Sequence, residues 1–383
     1  MKRLVKKVFM RILSIFPLPL RDEIIFESHP DFSDNSYALY EYFLKKGVNE
    51  KYRIHWALHN EDQYGLQLPE NVDTFYLNAN GFKNMWKKFR AIYCSKYIID
   101  GNSFIYKCRK DQIRIHLGHG MLIKITKGYH DAQKIGDCDN FLVTSPYWFD
   151  VFEKKVGLDK KCLLPLGYPR NDVLLEKRKW KNNLGDYLVW MPTYRQHREI
   201  EEISLKCQYP YGMPEITDLK QLKVLDNYLE IEKVKIYFRP HPAQDIRTIS
   251  EAEMKNIIIA DDLFLKKSKL TLYEILAAAK ALITDYSSVY FDFLLTGKPI
   301  GLTVGDIEEY FSIYDCAFSD ITKELEGVFI RSFEELLDFI SKVIENKEIM
   351  SEEYKLSKNK FHQIQDGTST EKIYEYIKGN YGF

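Results

Sequence analysis

A turn rich in hydroxyl and carboxyl groups follows an apolar run in the second half of the chain. Residues Ala281–Ile300 read ALITDYSSVYFDFLLTGKPI, which predicts a strand, a turn, an amphipathic helix and a second strand. Open α/β sheets bind ligands beyond the carboxyl ends of their strands, and a helix amino terminus there favours phosphate. The pattern therefore predicts a phosphate site, with Asp292 further along the helix, able to bind a ribose or nearby backbone. The residues expected to face the phosphate are Thr284, Asp285, Ser287 and Ser288.

Two histidines follow predicted strands in constrained turns. His119 stands in a Gly-His-Gly turn, where an imidazole can act as a general base near neutral pH. His241 stands in Arg-Pro-His-Pro, where two prolines fix the backbone and Arg239 adds a permanent charge. Rigid placement of this cationic pair suits a diphosphate. A solvated turn histidine and a proline-stiffened loop are the plain alternatives.

Two further polar turns follow apolar runs. In the sequence WMPTYR, Arg195 could reach a phosphate, or it could pair with Glu199 or Glu201. In the sequence LGYPRND, Arg170 and Asp172 could shape a cleft, or they could belong to a structural turn.

Composition limits the classes of function. Lys+Arg and Asp+Glu are both 55, so the net charge is zero and no overall field attracts nucleic acid. The six cysteines are scattered without a C-x-x-C pair, which indicates reduced thiols in a cytosolic compartment. The sequence Asp137-Cys138-Asp139 matches the Asp-x-Asp of metal-dependent glycosyltransferases, but it follows Gly136 and not an apolar strand. We therefore predict no metal site.

The first residues combine basic and apolar side chains. Residues 1–16 would place them on opposite halves of a helix, as in helices that lie in a membrane surface. The apolar stretch is shorter than the roughly 20 residues that a spanning helix needs. We expect this helix to bind an anionic membrane surface or to pack on its own domain.

Short β-rich runs alternate with helical patterns in both halves of the chain, as in α/β sheets. Two such series, joined by the charged stretch 176–186, predict two doubly wound, Rossmann-like domains that face a cleft. This is the GT-B type of α/β fold, and one large sheet is the alternative. The predicted strands are Glu23–Glu27, Tyr52–Leu58, Asp73–Leu77, Tyr97–Asp100, Ile113–Leu117, Asn140–Thr144, Tyr187–Met191, Val234–Phe238, Asn256–Ala260, Ala281–Thr284 and Ile300–Val304.

Length supports two domains. A chain of 383 residues suits two cores of roughly 150 to 200 residues each. We expect the amino-terminal amphipathic helix at 1–20, the first domain at 21–180 and the second at 181–350. Helices at 351–383 could cross back to the first domain, and their pattern runs as one stretch from Ser351 to Tyr381.

Five motifs in order carry a resemblance to a known family. His119-Gly120, LGYPRND, MPTYR, RPHP and LITDYSSVYFDFLLTGKPI together resemble the CDP-glycerol glycerophosphotransferases of teichoic acid and capsule synthesis. The resemblance implies an acceptor domain followed by a donor domain for a CDP-alditol, a lipid-linked or polymeric acceptor, and peripheral attachment to the cytoplasmic face of the cell membrane. It also implies that the two family histidines are His119 and His241. The implied donor-binding residues are Asp285, Ser287, Ser288 and Asp292.

One motif departs from the family pattern. An aromatic residue commonly precedes the His-Gly pair and Thr-Pro follows it, whereas Gly118 precedes it here and Met121 and Leu122 follow. This departure leaves the acceptor and the alditol open.

The resemblance implies a reaction. An acceptor hydroxyl would attack the β-phosphorus of CDP-glycerol and CMP would leave, with His119 as the base and His241, helped by Arg239, stabilising the diphosphate. No cofactor is required, although Mg²⁺ could neutralise the diphosphate. The alternatives are ribitol-phosphate transfer, glycosyl transfer from a nucleotide sugar, and a non-catalytic nucleotide-binding scaffold of an envelope-assembly complex.

Overall fold

The computed structural model describes residues 18–59, 67–102, 104–125, 137–176, 184–195 and 209–383. The amphipathic helix predicted for residues 1–16, most of the stretch 176–186, and Glu199 and Glu201 lie outside these ranges. Within them, no helix combines the length and the apolar character that crossing a bilayer requires.

Parallel strands form the core of each half. Their runs are apolar on both faces, as in IIF at 24–26 and LVW at 188–190, because helices cover both sides of a parallel sheet. The strands are β1 (Arg21–Glu27), β2 (Arg53–Leu58), β3 (Val72–Tyr76), β4 (Ser95–Asp100), β5 (Ile113–His116), β6 (Lys124–Ile125), β7 (Asn140–Leu142), β8 (Leu163–Leu164), β9 (Tyr187–Met191), β10 (Lys235–Phe238), β11 (Ile257–Ile259), β12 (Leu282–Thr284), β13 (Ile300–Thr303), β14 (Asp315–Cys316) and β15 (Val328–Ile330).

The strand order is doubly wound in both halves. In the part of the chain that the structure describes, the first sheet has the order β3-β2-β1-β4-β5-β7-β8 and the second the order β11-β10-β9-β12-β13-β15. The order reverses between β1 and β4 in the first sheet and between β9 and β12 in the second, which are the points where such sheets bind ligands. The alternative of one large sheet is therefore wrong.

Helices cover the sheets and close the chain. The helical pattern predicted as one stretch from Ser351 to Tyr381 is two helices, because the polar segment HQIQDGT interrupts it and Gly367 in that segment has a φ of +75°. The helices are α1 (Asp34–Lys45), α2 (Phe82–Cys94), α3 (Trp148–Val156), α4 (Asp172–Leu175), α5 (Leu219–Glu232), α6 (Arg247–Glu251), α7 (Asp262–Ser268), α8 (Leu272–Ala278), α9 (Val289–Leu294), α10 (Ile307–Ile313), α11 (Ile321–Glu324), α12 (Phe333–Ile344), α13 (Glu352–Phe361) and α14 (Ser369–Tyr381).

Several contacts join the two halves. The last helix, α14, packs against α1, and the hydroxyl of Tyr97 donates to the carbonyl of Tyr381 at 2.9 Å. Strand β6 from the first half pairs antiparallel with β14 from the second. One apolar cluster extends from Trp56 in the first sheet to Phe291 in the second half. These contacts hold the carboxyl edges of the two sheets in a fixed relation.

Candidate active site

The turn that carries His119 lies directly against the turn that precedes α9. Gly118 has a φ of +65°, a conformation that favours glycine, and Gly120 comes very close to Ser288. A Cβ atom at position 120 would lie 2.4 Å from the Oγ atom of Ser288. The two glycines therefore let His119 approach the second half.

The environment of His119 favours a neutral imidazole. The ring is exposed to solvent on one side, and its Nδ1 lies 3.4 Å from the carbonyl oxygen of Gly101. Desolvation by the protein on its other sides lowers the pKa of His119 below its ordinary value of 6.5, although Asp34 opposes the shift. A hydrogen on Nδ1, directed at that carbonyl, leaves Nε2 free to accept a proton.

Arg170 connects the His119 turn to both halves. Its Nη1 donates to Asp34 Oδ1 at 2.6 Å and to the carbonyl oxygen of His119 at 2.9 Å. Its Nη2 donates to Asp292 Oδ2 at 2.7 Å. The side chain is buried and lies on the rings of Tyr168 and Tyr273. Arg170 therefore holds the His119 turn in place beside the second half.

Two acidic residues expected at the cleft have structural partners. Asp292 is buried and also accepts from Asn171 Nδ2 at 2.9 Å and from the Tyr273 hydroxyl at 2.6 Å, so these donors occupy the oxygens that we expected a ribose to use. Asp172 accepts from the backbone N–H groups of Ser369 and Thr370, at 3.0 and 2.8 Å. It therefore caps α14 and does not line the cleft.

Arg195 and Asp285 form a buried ion pair. Arg195 Nη1 donates to Asp285, and its Nε donates to Asp306 Oδ2 at 2.9 Å. Asp285 also accepts from the backbone N–H of Thr193 at 2.9 Å. Both side chains are completely buried, so neither is open to the phosphate that the sequence led us to expect beside them. They join the loop after β9 to the turn after β12.

The hydroxyl groups of this turn differ in exposure. The Thr284 hydroxyl is buried and donates to the carbonyl oxygen of Met191 at 2.7 Å, which ties β12 to β9. Ser287 and Ser288 are partly exposed and precede α9. Among the turn residues predicted to bind phosphate, these two serines are the ones that a ligand can reach.

His241 is exposed at the carboxyl edge of the second sheet. Its Nδ1 accepts from the backbone N–H of Ala243 at 3.1 Å, which places the hydrogen of a neutral ring on Nε2. Its ring packs on that of Tyr194, with centroids 5.0 Å apart. Arg239 turns away from the expected diphosphate, since it donates to the Ala260 carbonyl at 2.9 Å and to Asp262 at 2.5 Å.

The sequence of this fold matches a family model. The model describes CDP-glycerol:poly(glycerophosphate) glycerophosphotransferases, and it matches residues 9–379. The chain belongs to this family. The resemblance carried by the five motifs is thereby confirmed.

Relatives of this glycerophosphotransferase support the assignment. The teichoic acid poly(glycerol phosphate) polymerase of Bacillus spizizenii is 25% identical over 403 residues, which cover 97% of this chain and 95% of the relative. The teichoic acid glycerol-phosphate transferase of Staphylococcus aureus is 25% identical and covers 94% of each chain. The teichoic acid ribitol-phosphate polymerase TarL of Staphylococcus aureus is 22% identical, over 99% of this chain and 66% of its own.

Solved structures confirm the fold. The wall teichoic acid polymerase TagF superposes with a TM-score of 0.73 at 20% identity, over 99% of this chain and 96% of that chain. A UDP-N-acetylglucosamine 2-epimerase from Listeria monocytogenes gives a TM-score of 0.54 at 13% identity, over 94% and 97% of the two chains. The predicted GT-B type of α/β fold is therefore confirmed.

One residue near the glycerophosphotransferase cleft was not predicted. Lys124, on β6, donates from Nζ to the Tyr310 hydroxyl at 2.9 Å, and its ammonium lies over the rings of Tyr194, Tyr310 and Tyr314 at 5.2, 5.6 and 5.3 Å. Burial lowers the pKa of Lys124 to about 8. The high tyrosine count was the sole sequence signal, because the rings come from the loop after β9 and from the end of α10, both far from Lys124 in the chain.

The carboxylates of the Asp-x-Asp sequence form ion pairs with basic side chains of the protein. Lys107 Nζ lies 3.0 Å from Asp139, and Arg114 pairs with Asp137. In the ranges that the structure describes, no group of three or more His, Cys, Asp or Glu side chains is placed to hold a metal ion.

Proposed function

We propose that this chain transfers glycerol phosphate from CDP-glycerol to a hydroxyl of a lipid-linked or polymeric acceptor in teichoic acid or capsule synthesis, and that it releases CMP. The observation that carries the proposal is the contact between Gly120 and Ser288. It places the exposed ring of His119 next to a partly exposed serine turn at the carboxyl edge of the facing sheet.

The chemistry follows from the state of His119. The acceptor oxygen attacks the β-phosphorus, the bond from that phosphorus to the bridging oxygen breaks, and CMP leaves with the bridging oxygen. Nε2 of His119 takes the proton that the acceptor hydroxyl loses. Its lowered pKa keeps this nitrogen unprotonated near pH 7, as a general base requires.

Side chains of the second half receive the developing charge. The hydrogen on Nε2 of His241 donates to a phosphate oxygen of the leaving CMP, since Nδ1 is already bonded to Ala243. The hydroxyls of Ser287 and Ser288 donate to the phosphoryl oxygens. Such fixed donors stabilise a transition state whose charge is spread over phosphate oxygens.

The identity of the product tests the donor class. Purified enzyme is incubated with CDP-glycerol, CDP-ribitol or a nucleotide sugar, each with and without a membrane extract as acceptor. We expect acceptor-dependent CMP from CDP-glycerol. A preference for CDP-ribitol would assign ribitol-phosphate transfer, and release of a nucleoside diphosphate would assign glycosyl transfer. Tight CDP-glycerol binding without turnover on any acceptor would indicate a non-catalytic scaffold.

The proposed reaction needs no resident cofactor. Mg²⁺, where it contributes, neutralises charge on the donor diphosphate and not on a protein carboxylate. Dialysis against EDTA is therefore expected to lower the rate by weakening donor binding, with the rate at saturating donor largely kept. Complete and irreversible loss of activity would contradict this view.

We further propose that the enzyme attaches peripherally to the anionic, cytoplasmic face of the cell membrane. Helix α2 carries Phe82 and Trp86, which are 76% and 37% exposed, together with exposed Lys83 and Lys87. The helix contains no Asp or Glu. Exposed aromatic and basic side chains on one helix favour an anionic lipid surface.

Vesicle sedimentation tests this attachment. Phe82→Ser combined with Trp86→Ser is expected to reduce binding to vesicles that contain phosphatidylglycerol, and deletion of residues 1–16 tests the other candidate segment separately. Exchange of two exposed apolar residues on other helices, Ile231→Ser and Leu356→Ser, is the control. Unchanged binding in both the double variant and the deletion would contradict the proposal.

A further inference from the structure

Three aromatic rings meet at the carboxyl edge of the first sheet, beside the point where its strand order reverses. His29 follows β1, His59 follows β2 and Phe104 follows β4. The ring centroids of His29 and His59 are 4.7 Å apart, and those of His59 and Phe104 are 4.5 Å apart. The reaction described above uses none of these residues, which we call the ring cluster.

A buried carboxylate holds the ring cluster in place. Glu27, at the end of β1, is completely buried, and its Oε1 lies 2.9 Å from His59 Nε2. Its Oε2 accepts from the backbone N–H of Asn102 at 3.1 Å. The side chain of Asn102 accepts in turn from the backbone N–H of His29 at 2.8 Å. A hydrogen on Nε2 of His59 therefore points at Glu27 and leaves Nδ1 as an acceptor.

This network fixes the loops but does not account for the exposed rings. Phe104 is 52% exposed and His29 is also exposed. Both stand at a sheet edge, where neighbouring loops can bury apolar rings. An exposed ring that is held rigidly beside ordered polar groups is typical of a binding site. The geometry points to a ligand that packs on Phe104 and donates hydroxyls to imidazole nitrogens.

The charges around the ring cluster favour a neutral ligand. Two carboxylates bond to His59 of the ring cluster: Glu27 contacts its Nε2, and Asp31 accepts from its backbone N–H at 2.9 Å. Carboxylates repel a phosphate but accept hydrogen bonds from hydroxyls. A sugar ring offers both an apolar C–H face for Phe104 and several hydroxyls.

The ring cluster lies on the same sheet edge as the proposed base. His119 Nδ1 lies 3.4 Å from the carbonyl oxygen of Gly101, and Gly101 is joined to Asn102. On the basis of the proposed function, we infer that the ring cluster is a subsite for a sugar ring of the acceptor, adjacent to the hydroxyl that attacks the donor.

Ligand-observed NMR tests the subsite without relying on turnover. The probes are the methyl pyranosides of glucose, mannose and N-acetylglucosamine, added to the full chain. We expect saturation transfer to at least one of them, and its loss in Phe104→Ala. Because Phe104 is half exposed, this variant should fold, and Ile231→Ala, an exposed residue on α5, is the matched control. Absence of transfer to all three sugars, or equal transfer in Phe104→Ala, would overturn the inference.

Kinetics separate this inference from the proposed function. With the natural acceptor, Phe104→Ala should raise the acceptor KM by roughly tenfold and leave the KM for CDP-glycerol unchanged. An active enzyme whose acceptor KM is unaffected by Phe104→Ala contradicts the subsite alone. Sugar binding that depends on Phe104, in a chain that releases no CMP, supports the subsite and contradicts the proposed reaction.

Discussion

Arg170 Nη2 donates to Asp292 Oδ2 at 2.7 Å, and this buried ion pair links the first half of the chain to the second. The same guanidinium donates from Nη1 to the carbonyl oxygen of His119. One side chain therefore holds the halves together and holds the turn of the proposed base. Stability and catalysis should respond together to changes at this pair.

Arg170→Met should lower the free energy of unfolding by about 3–5 kcal/mol, because Asp292 is left buried without its cation. The acceptor-dependent rate should fall as well, since the His119 turn loses its support. Urea unfolding and CMP release measure the two effects. Arg247→Met, which removes an ion pair at an 81% exposed side chain, should change neither. Equal stabilities of Arg170→Met and wild type would contradict the role given to Arg170.

Gly120→Ala should disturb the contact between the halves. The new Cβ atom would lie 2.4 Å from Ser288 Oγ and 2.7 Å from Ser288 Cβ. Because of this clash, we expect the free energy of unfolding to fall by about 1–3 kcal/mol. Ser288→Gly removes both atoms and should restore part of this loss in the double variant. Gly81→Ala is the control. Gly81 has a φ of +77° but open space around it, so this variant measures the cost of backbone strain without a clash. Strictly additive effects would show that the two residues do not touch.

The sequence predicts the central strands well and the partners of the side chains poorly, and it misses the short edge strands β8 and β15. Strand β9 has the predicted bounds, because the apolar run Tyr187–Met191 lies between polar residues and a proline. The pattern also placed His119 and His241 correctly after strands. It could not predict that Arg195 would bind Asp285 and Asp306, because these contacts join loops about 90 to 110 residues apart, and spacing carries no signal for them.

The same limit applies at the chain end. Apolar spacing alone predicts one helix from Ser351 to Tyr381, because it gives no weight to the polar residues 362–368 or to Gly367. Tertiary contacts also hold the break in place, among them the bond of His362 Nε2 to the Phe291 carbonyl at 2.7 Å. Lys124 and its three tyrosines were missed for a similar reason, since the cage exists once β6 pairs with β14.

Lys124 should give the rate an alkaline limit. Its pKa of about 8 means that the ammonium is present below pH 8 and is lost above it. Loss of the charge weakens the cage around Tyr194, on which His241 packs. The rate of wild type should therefore fall between about pH 8 and about pH 9, whereas Lys124→Arg should keep its rate there, because guanidinium stays charged. Identical profiles for the two enzymes would contradict this role.

His362 should make the fold sensitive to acid. Burial lowers the pKa of His362 from 6.5 to about 4, so the unfolded chain binds a proton in this interval and the folded chain does not. Stability should fall as the pH drops from about 6.5 to about 4, by at most about 3 kcal/mol from this residue. His362→Gln keeps an N–H donor but does not titrate. Its unfolding free energy, measured by urea titration at each pH, should fall less over this interval. Parallel curves would contradict the assignment.

Acceptor-dependent release of CMP from CDP-glycerol is the most direct test of the central claim. It is measured for wild type, His119→Ala and His241→Ala, with urea unfolding as a check that each variant folds. We predict CMP release by wild type and a loss of about 10²-fold or more in each variant. Near-wild-type rates in both variants, or no CMP from wild type on any teichoic acid acceptor, would contradict the account.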